Sequence, residues 1–192
     1  MDSDADRKRM AAEEGLSKSV ERARAHDEDA WARIYRELAP VLLGYLRARG
    51  AAEPEDVLGE VFVQAVRDLD RFDGDERDFR AWIFSIAHNR LIDERRKAGR
   101  RPLVPVPEET LAHAAGAGDV EAEALSRLGA EELTAMIGRL SADQQSVVLM
   151  RTLGGLTVPE VARAIGKREG AVKQLQRRGL ARLRKELAID DS

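Results

Sequence analysis

Cysteine is absent from the 192 residues. Its absence excludes disulfides, thiolate zinc sites and cysteine nucleophiles. Histidine is scarce, and His26, His88 and His113 lie too far apart to match a metal-ligand spacing. No apolar run approaches the roughly 18 residues of a membrane span. The opening MDSDADRKRM lacks the apolar core of a signal peptide. Neither a phosphate-cradling glycine loop nor a nucleophile–base set is present. These gaps predict a soluble, cytoplasmic protein that is not an enzyme, binds no metal, needs no cofactor and does not insert into a membrane.

Aromatics are few and confined. All eight fall between Trp31 and Phe84, so the last 108 residues have none. Three of the six prolines crowd into RPLVPVP, followed by the small residues LAHAAGAGD. That composition predicts a flexible linker over residues 100–120. It separates an aromatic-bearing module, 17–99, from an aliphatic one, 121–188, after a disordered extension, 1–16. No stretch reads as a strand, so the fold class expected is all-α, two small helical domains on a linker.

Charge is abundant but sorted. The chain has 32 basic and 35 acidic residues, a net of −3. Residues 54–79 carry a net of −6, 80–101 a net of +5, 102–140 a net of −5 and 157–192 a net of +4. Two basic stretches divided by acidic ones predict two contacts with a polyanion. The acidic total argues against tight binding to bare DNA, because phosphate neutralisation dominates that affinity.

Helical periodicity then places the elements. Trp31, Ile34, Tyr35, Leu38, Leu42, Tyr45 and Leu46 recur at helical spacing across Pro40 and stop at Gly50. Pro54, Glu55 and Asp56 suit a helix start, with Val57, Leu58, Val61, Phe62, Ala65 and Leu69 as its apolar stripe. Phe79, Trp82, Ile83, Ile86 and Arg90 line one side of the next helix. Arg90 interrupts the stripe and is expected to pair with the acidic helix before it. Leu125, Leu128, Leu133, Met136, Ile137 and Leu140 predict another helix. Ser141–Gln144 and Thr157–Glu160 each have capping-box form.

The most specific segment is TVPEVARAIGKREGAVKQLQRRGLARLRK. Ala162 suits a helix crossing, Gly166 a turn at positive φ, and Val172, Leu175 and Leu183 an anchoring face. Those offsets are those of a DNA-reading helix-turn-helix. Lys173, Gln174, Arg177 and Arg178 share one face of the second helix and can address base edges and phosphates. The bland alternative for that face is a solvated basic helix.

LSADQQSVVLMRTLGGLTVPEVARAIGKREGAVKQLQRRGLARLRKEL resembles region 4 of a bacterial sigma factor of the sigma-70 family. PEDVLGEVFVQAVRDLDRF followed by FRAWIFSIAHNRLIDERRK resembles region 2. Two modules in that order with only a linker between them are similar to the extracytoplasmic-function type. The resemblance implies binding of core RNA polymerase through Glu55, Asp56 and Glu60. It implies capture and melting of the promoter −10 element by Arg80, Phe84, Ser85, His88, Asn89, Arg95 and Arg96, with Arg100 as a further backbone contact. It implies reading of the −35 element by Arg168, Lys173, Gln174, Arg177 and Arg178. Phe79, Trp82 and Phe62 are expected in the core, and His88 at the surface or facing DNA.

The resemblance further implies a linker threading the polymerase cleft, an anti-sigma factor as partner, and a monomer when free. Three departures stand out: Gly59 where a polar residue is frequent, Val66 where Trp is frequent, and Arg168 where a capping Ser is common. Arg168 is therefore expected to meet a phosphate near the helix N-terminus. The rival reading is an autonomous helix-turn-helix regulator, which normally needs a dimer and two half-sites.

Overall fold

The computed structural model describes residues 15–98 and 135–190. Among the described residues the chain is helical and contains no strand. Helix α1 runs Leu16–Arg24, α2 Glu28–Ala48, α3 Pro54–Asp68 and α4 Glu76–Ala98, with a 3₁₀ turn at Leu69–Arg71. A helical stretch over 135–138 leads into α5 Ala142–Thr152, α6 Val158–Ile165 and α7 Glu169–Asp190. The linker, Arg100, Leu125, Leu128 and Leu133 lie outside the described residues.

Local chemistry sets the element ends. Asp27 caps α2 by accepting from the Ala30 amide at 3.2 Å, and its carboxylate is held by Arg22 at 2.6 Å. Asp75 caps α4 by accepting from the Asp78 amide at 2.9 Å. Pro40 sits inside α2 on its exposed side, where water can satisfy the carbonyl that loses its amide partner. Pro54 opens α3 in its first turn, followed by Glu55 and Asp56 at the positive end of the dipole. Ser141 and Gln144 form the capping box of α5, and α5 stops before Gly154. Leu16 is buried within α1, so the packed structure begins one residue inside the stretch expected to be disordered.

The first module packs α3 and α4 against α2, with α1 across α2. Ile34, Leu38, Leu42, Leu46, Val61, Ala65, Ile83 and Leu91 meet in its centre. Phe72 stacks on Trp82 at 5.1 Å between centroids and meets Phe79 edge-on at 5.5 Å. Trp82 is half-buried and Phe79 fully buried, as their place on the stripe predicts. The second module packs α7 over α5 and α6. Gly179 lets α7 approach α5 closely, since a Cβ there would lie 3.0 Å from Val148 Cγ2.

The two modules are not held apart. Helix α4 of the first lies against α6 of the second, and α2 touches α5. The apolar interiors merge into one continuous core.

Candidate nucleic-acid and polymerase interface

The helix-turn-helix is built as its sequence predicts. The Thr157 amide donates to Glu160 Oε2 at 2.6 Å, completing the capping box of α6. Gly166 ends α6 at φ 65°, a conformation costing a Cβ-bearing residue about 1–2 kcal/mol. The Lys167 amide then closes back on Ala162 at 2.9 Å. Ala162, Val172 and Leu183 are buried and Leu175 is half-buried, so α7 is anchored along one face. Lys173, Gln174, Arg177 and Arg178 are exposed on its other side. The Arg168 carbonyl accepts the first helical bond from Val172 at 3.1 Å. Arg168 therefore holds the N-cap position, where its exposed cationic side chain cannot accept from the open amides.

Glu55, Asp56 and Glu60 are exposed on α3. Arg47 hydrogen-bonds Glu55 and holds its carboxyl below the usual carboxylate range. Asp56 crowds Glu53 and pushes that carboxyl up. Arg90 bridges to Glu60 at 3.2 Å and to Gln64 at 2.9 Å, the pairing expected from its break in the stripe. Beside these acids lies an apolar surface that sequence reasoning missed: Val63 is 70% exposed, Val66 51% and Tyr35 47%. Tyr35 lies 4.7 Å from the buried Phe62 ring. The signal was present in Val63 and Val66, which fall off the stripe of α3.

The −10 set divides. Asn89 and Arg96 are exposed, and Arg96 reaches Asp93 at 3.4 Å. Arg80 is half-buried in ion pairs with Glu37 and with Glu76, the latter at 3.9 Å. Ser85 donates to the Trp82 carbonyl at 2.6 Å. Phe84 and His88 are not at the surface, contrary to expectation. Both are buried against the second module, and neither can reach a base while the modules are docked. Phe84 meets Tyr45 edge-on at 5.5 Å and lies under Gly154, where an added Cβ would come within 2.9 Å of its ring.

His88 Nδ1 shares a 3.0 Å hydrogen bond with the Tyr45 hydroxyl and lies 3.5 Å from Ser146 Oγ. Burial, and then the charge of Arg49, push its pKa down to about 4. Burial likewise raises the Tyr45 phenol above its ordinary value. Arg49 donates to Gln145 Oε1 at 2.6 Å across the junction. Arg163 of α6 pairs with Asp78 of α4 at 2.6 Å on its outer edge. These junction residues also escaped sequence reasoning. The available clue was α4 itself, apolar at Phe79, Ile83 and Ala87 and again at Phe84 and Ala81; a helix apolar on more than one side is covered on more than one side.

Comparison with known proteins gives the arrangement its family. Profiles for Sigma-70 region 2 and Sigma-70 region 4 match residues 34–101 and 130–183. The chain is 36% identical over 173 residues to the ECF RNA polymerase sigma factor BldN of Streptomyces coelicolor, covering 89% of this chain and 65% of BldN. It is 30% identical over 184 residues to the ECF RNA polymerase sigma factor SigD of Mycobacterium tuberculosis, covering 91% of this chain and 84% of SigD. Its fold matches CnrH, solved with the cytosolic domain of CnrY, at a TM-score of 0.67 and 24% identity over 92% of this chain and 99% of that one. It also matches RpoE, solved with the anti-sigma factor NepR from Bartonella quintana, at a TM-score of 0.63 and 21% identity over 82% and 98% of the two chains. With both sigma regions matched in order and relatives aligned across most of its length, the chain belongs to the ECF family of RNA polymerase sigma factors.

Proposed function

We propose that this chain is the promoter-specificity subunit of an RNA polymerase holoenzyme, with no catalysis of its own. The second module reads the −35 element through Arg168, Lys173, Gln174, Arg177 and Arg178. The first docks on polymerase through the acidic and apolar surface of α3, and captures the −10 strand along α4. The observation that carries this reading is the exposed basic face of α7 on a capped, αL-turned helix-turn-helix. Lys and Arg there can pair with phosphates or guanine edges, and Gln174 with adenine. An acidic, partly apolar α3 face suits a basic partner and steers its approach.

Proteins with this fold have been solved with CnrY and with the anti-sigma factor NepR. We extend that pairing to this chain as a proposal: an anti-sigma factor holds it inactive in the cytoplasm, where it is otherwise monomeric. No helix among the described residues is long and apolar enough to cross a membrane. Run-off transcription with core polymerase and a promoter library tests the assignment. New start sites that move with the −35 and −10 sequences are expected, and Arg177→Ala should weaken promoter binding and flatten its salt dependence by about one. Tight duplex binding that is indifferent to polymerase would favour the autonomous regulator instead.

A further inference from the structure

Helix α1 approaches the start of α4 at two places, and a cleft of about 300 Å³ lies between them. At one end stands Gly15, the N-cap of α1, where an added Cβ would lie 4.0 Å from Glu76 Oε2. At the other, Arg24 Nη2 donates to the Phe72 carbonyl at 2.6 Å, and the Arg24 guanidinium lies 5.9 Å from the centroid of the Phe72 ring. The loop 73–75, exposed throughout, walls the cleft opposite α1. It is stopped on its α4 side, since a Cβ on Gly74 would come within 2.7 Å of Asp78 Cβ. Toward α1 it faces the cleft, so its position depends on how its two ends are held. Asp75 fixes the end that enters α4, and Arg24 the end that leaves Phe72.

Both ends of the loop lead to side chains of the −10 set. Phe72 stacks on Trp82, whose carbonyl accepts from Ser85 Oγ at 2.6 Å. Glu76 lines the cleft and pairs with Arg80 at 3.9 Å. Among the described residues that line the cleft, Arg24 is the one cation, facing the acids Glu21, Asp73, Asp75 and Glu76. Without it these carboxylates would repel one another across the gap and push the loop away from α1. A guanidinium suits the place, because it can donate to a carbonyl and lie over an aromatic face at once.

We propose that Arg24 is a positioning residue for −10 recognition: from α1 it fixes the loop 72–75, and through Phe72 and Glu76 it sets where Ser85 and Arg80 stand when an unpaired base of the promoter strand arrives. The role rests on the sigma-factor reading above and deepens it. Arg24 acts through the loop and not on the DNA. Extruding a base costs free energy that a preformed pocket offsets. A wall that can shift offsets less of that cost and tells one base from another less well.

The test compares the natural chain with Arg24→Ala and Asp27→Ala, each full-length and assembled with core polymerase. Arg24 is exposed, so its truncation leaves the core intact. Asp27→Ala loosens the turn that carries α1, but the partners it loses are Arg22 and the Ala30 amide, not the loop. Each holoenzyme is bound to promoters drawn from the library, with every −10 and −35 position substituted in turn. Arg24→Ala should cut the discrimination against the wrong base by about fivefold at one −10 position or more, leaving −35 discrimination unchanged. Asp27→Ala should keep both. Natural −10 discrimination in Arg24→Ala overturns the proposal. An equal loss in Asp27→Ala also overturns it, because the effect would then be a general loosening of α1. In the free chain, amide hydrogen exchange over residues 72–76 should quicken in Arg24→Ala and not in Asp27→Ala; unchanged exchange in Arg24→Ala overturns the bracing. Failure of the natural holoenzyme to give promoter-specific transcripts would strike the sigma-factor reading instead, and the exchange would still decide whether Arg24 holds the loop.

Discussion

At the residue scale, His88 links the junction to acidity. Its pKa is lowered from about 6.5 to about 4, first by burial and then by Arg49; Lys167 and Arg95 act in the same sense and Asp143 opposes them. The folded chain binds fewer protons at this ring than the unfolded chain does. The stabilisation is therefore present above about pH 6.5 and is lost as pH falls toward about 4. His88→Asn keeps a polar group near the Nδ1 position and removes the titration. The drop in thermal midpoint between pH 7 and pH 5 should be larger for the natural chain than for this variant. Arg168 separates stability from binding. Arg168→Ser supplies the missing cap and should raise stability by about 0.5–2 kcal/mol in denaturant titration. The same change should lower the salt slope of promoter binding by about one if Arg168 meets a phosphate.

At the element scale, two glycines with similar surroundings should respond oppositely to alanine. A Cβ at Gly59 or at Gly166 would meet nothing within 4 Å. Gly59 lies on an exposed turn inside α3, so Gly59→Ala should stabilise by about 0.5–1 kcal/mol. Gly166 sits at φ 65°, so Gly166→Ala should cost about 1–2 kcal/mol despite the open space. Urea unfolding of both variants checks the pair of signs. The caps at Ser141 and Thr157, the start at Pro54 and the Arg90 bridge to Glu60 were legible in the sequence because each depends on residues a few positions apart or on one charge break. The burial of Phe84 and His88 was not legible, because spacing along α4 shows which residues share a side, not what covers that side.

For the molecule as a whole, a continuous core predicts cooperative unfolding of the two modules together. Calorimetry of the intact chain should give a single transition. Phe84→Ala removes the ring that fills the junction, at a cost of about 3–5 kcal/mol, and should split the trace into two. A trace that keeps one transition at lower temperature would mean that the other junction contacts suffice for coupling. The division into two modules is legible in the loss of aromatics after Phe84 and the proline-rich stretch that follows. Their docking is not, because Arg49 and Gln145 are 96 positions apart and each reads alone as an ordinary polar surface residue.

The sequence by itself determined the helices, their caps, the left-handed turn at Gly166 and the basic face of α7, because these rest on contacts between near neighbours in the chain. Only the packing of distant segments placed Phe84 and His88 under cover and buried Arg49 at the junction. Those outcomes depend on which surface of a distant segment arrives, and helical spacing carries no information about a partner so far along the chain.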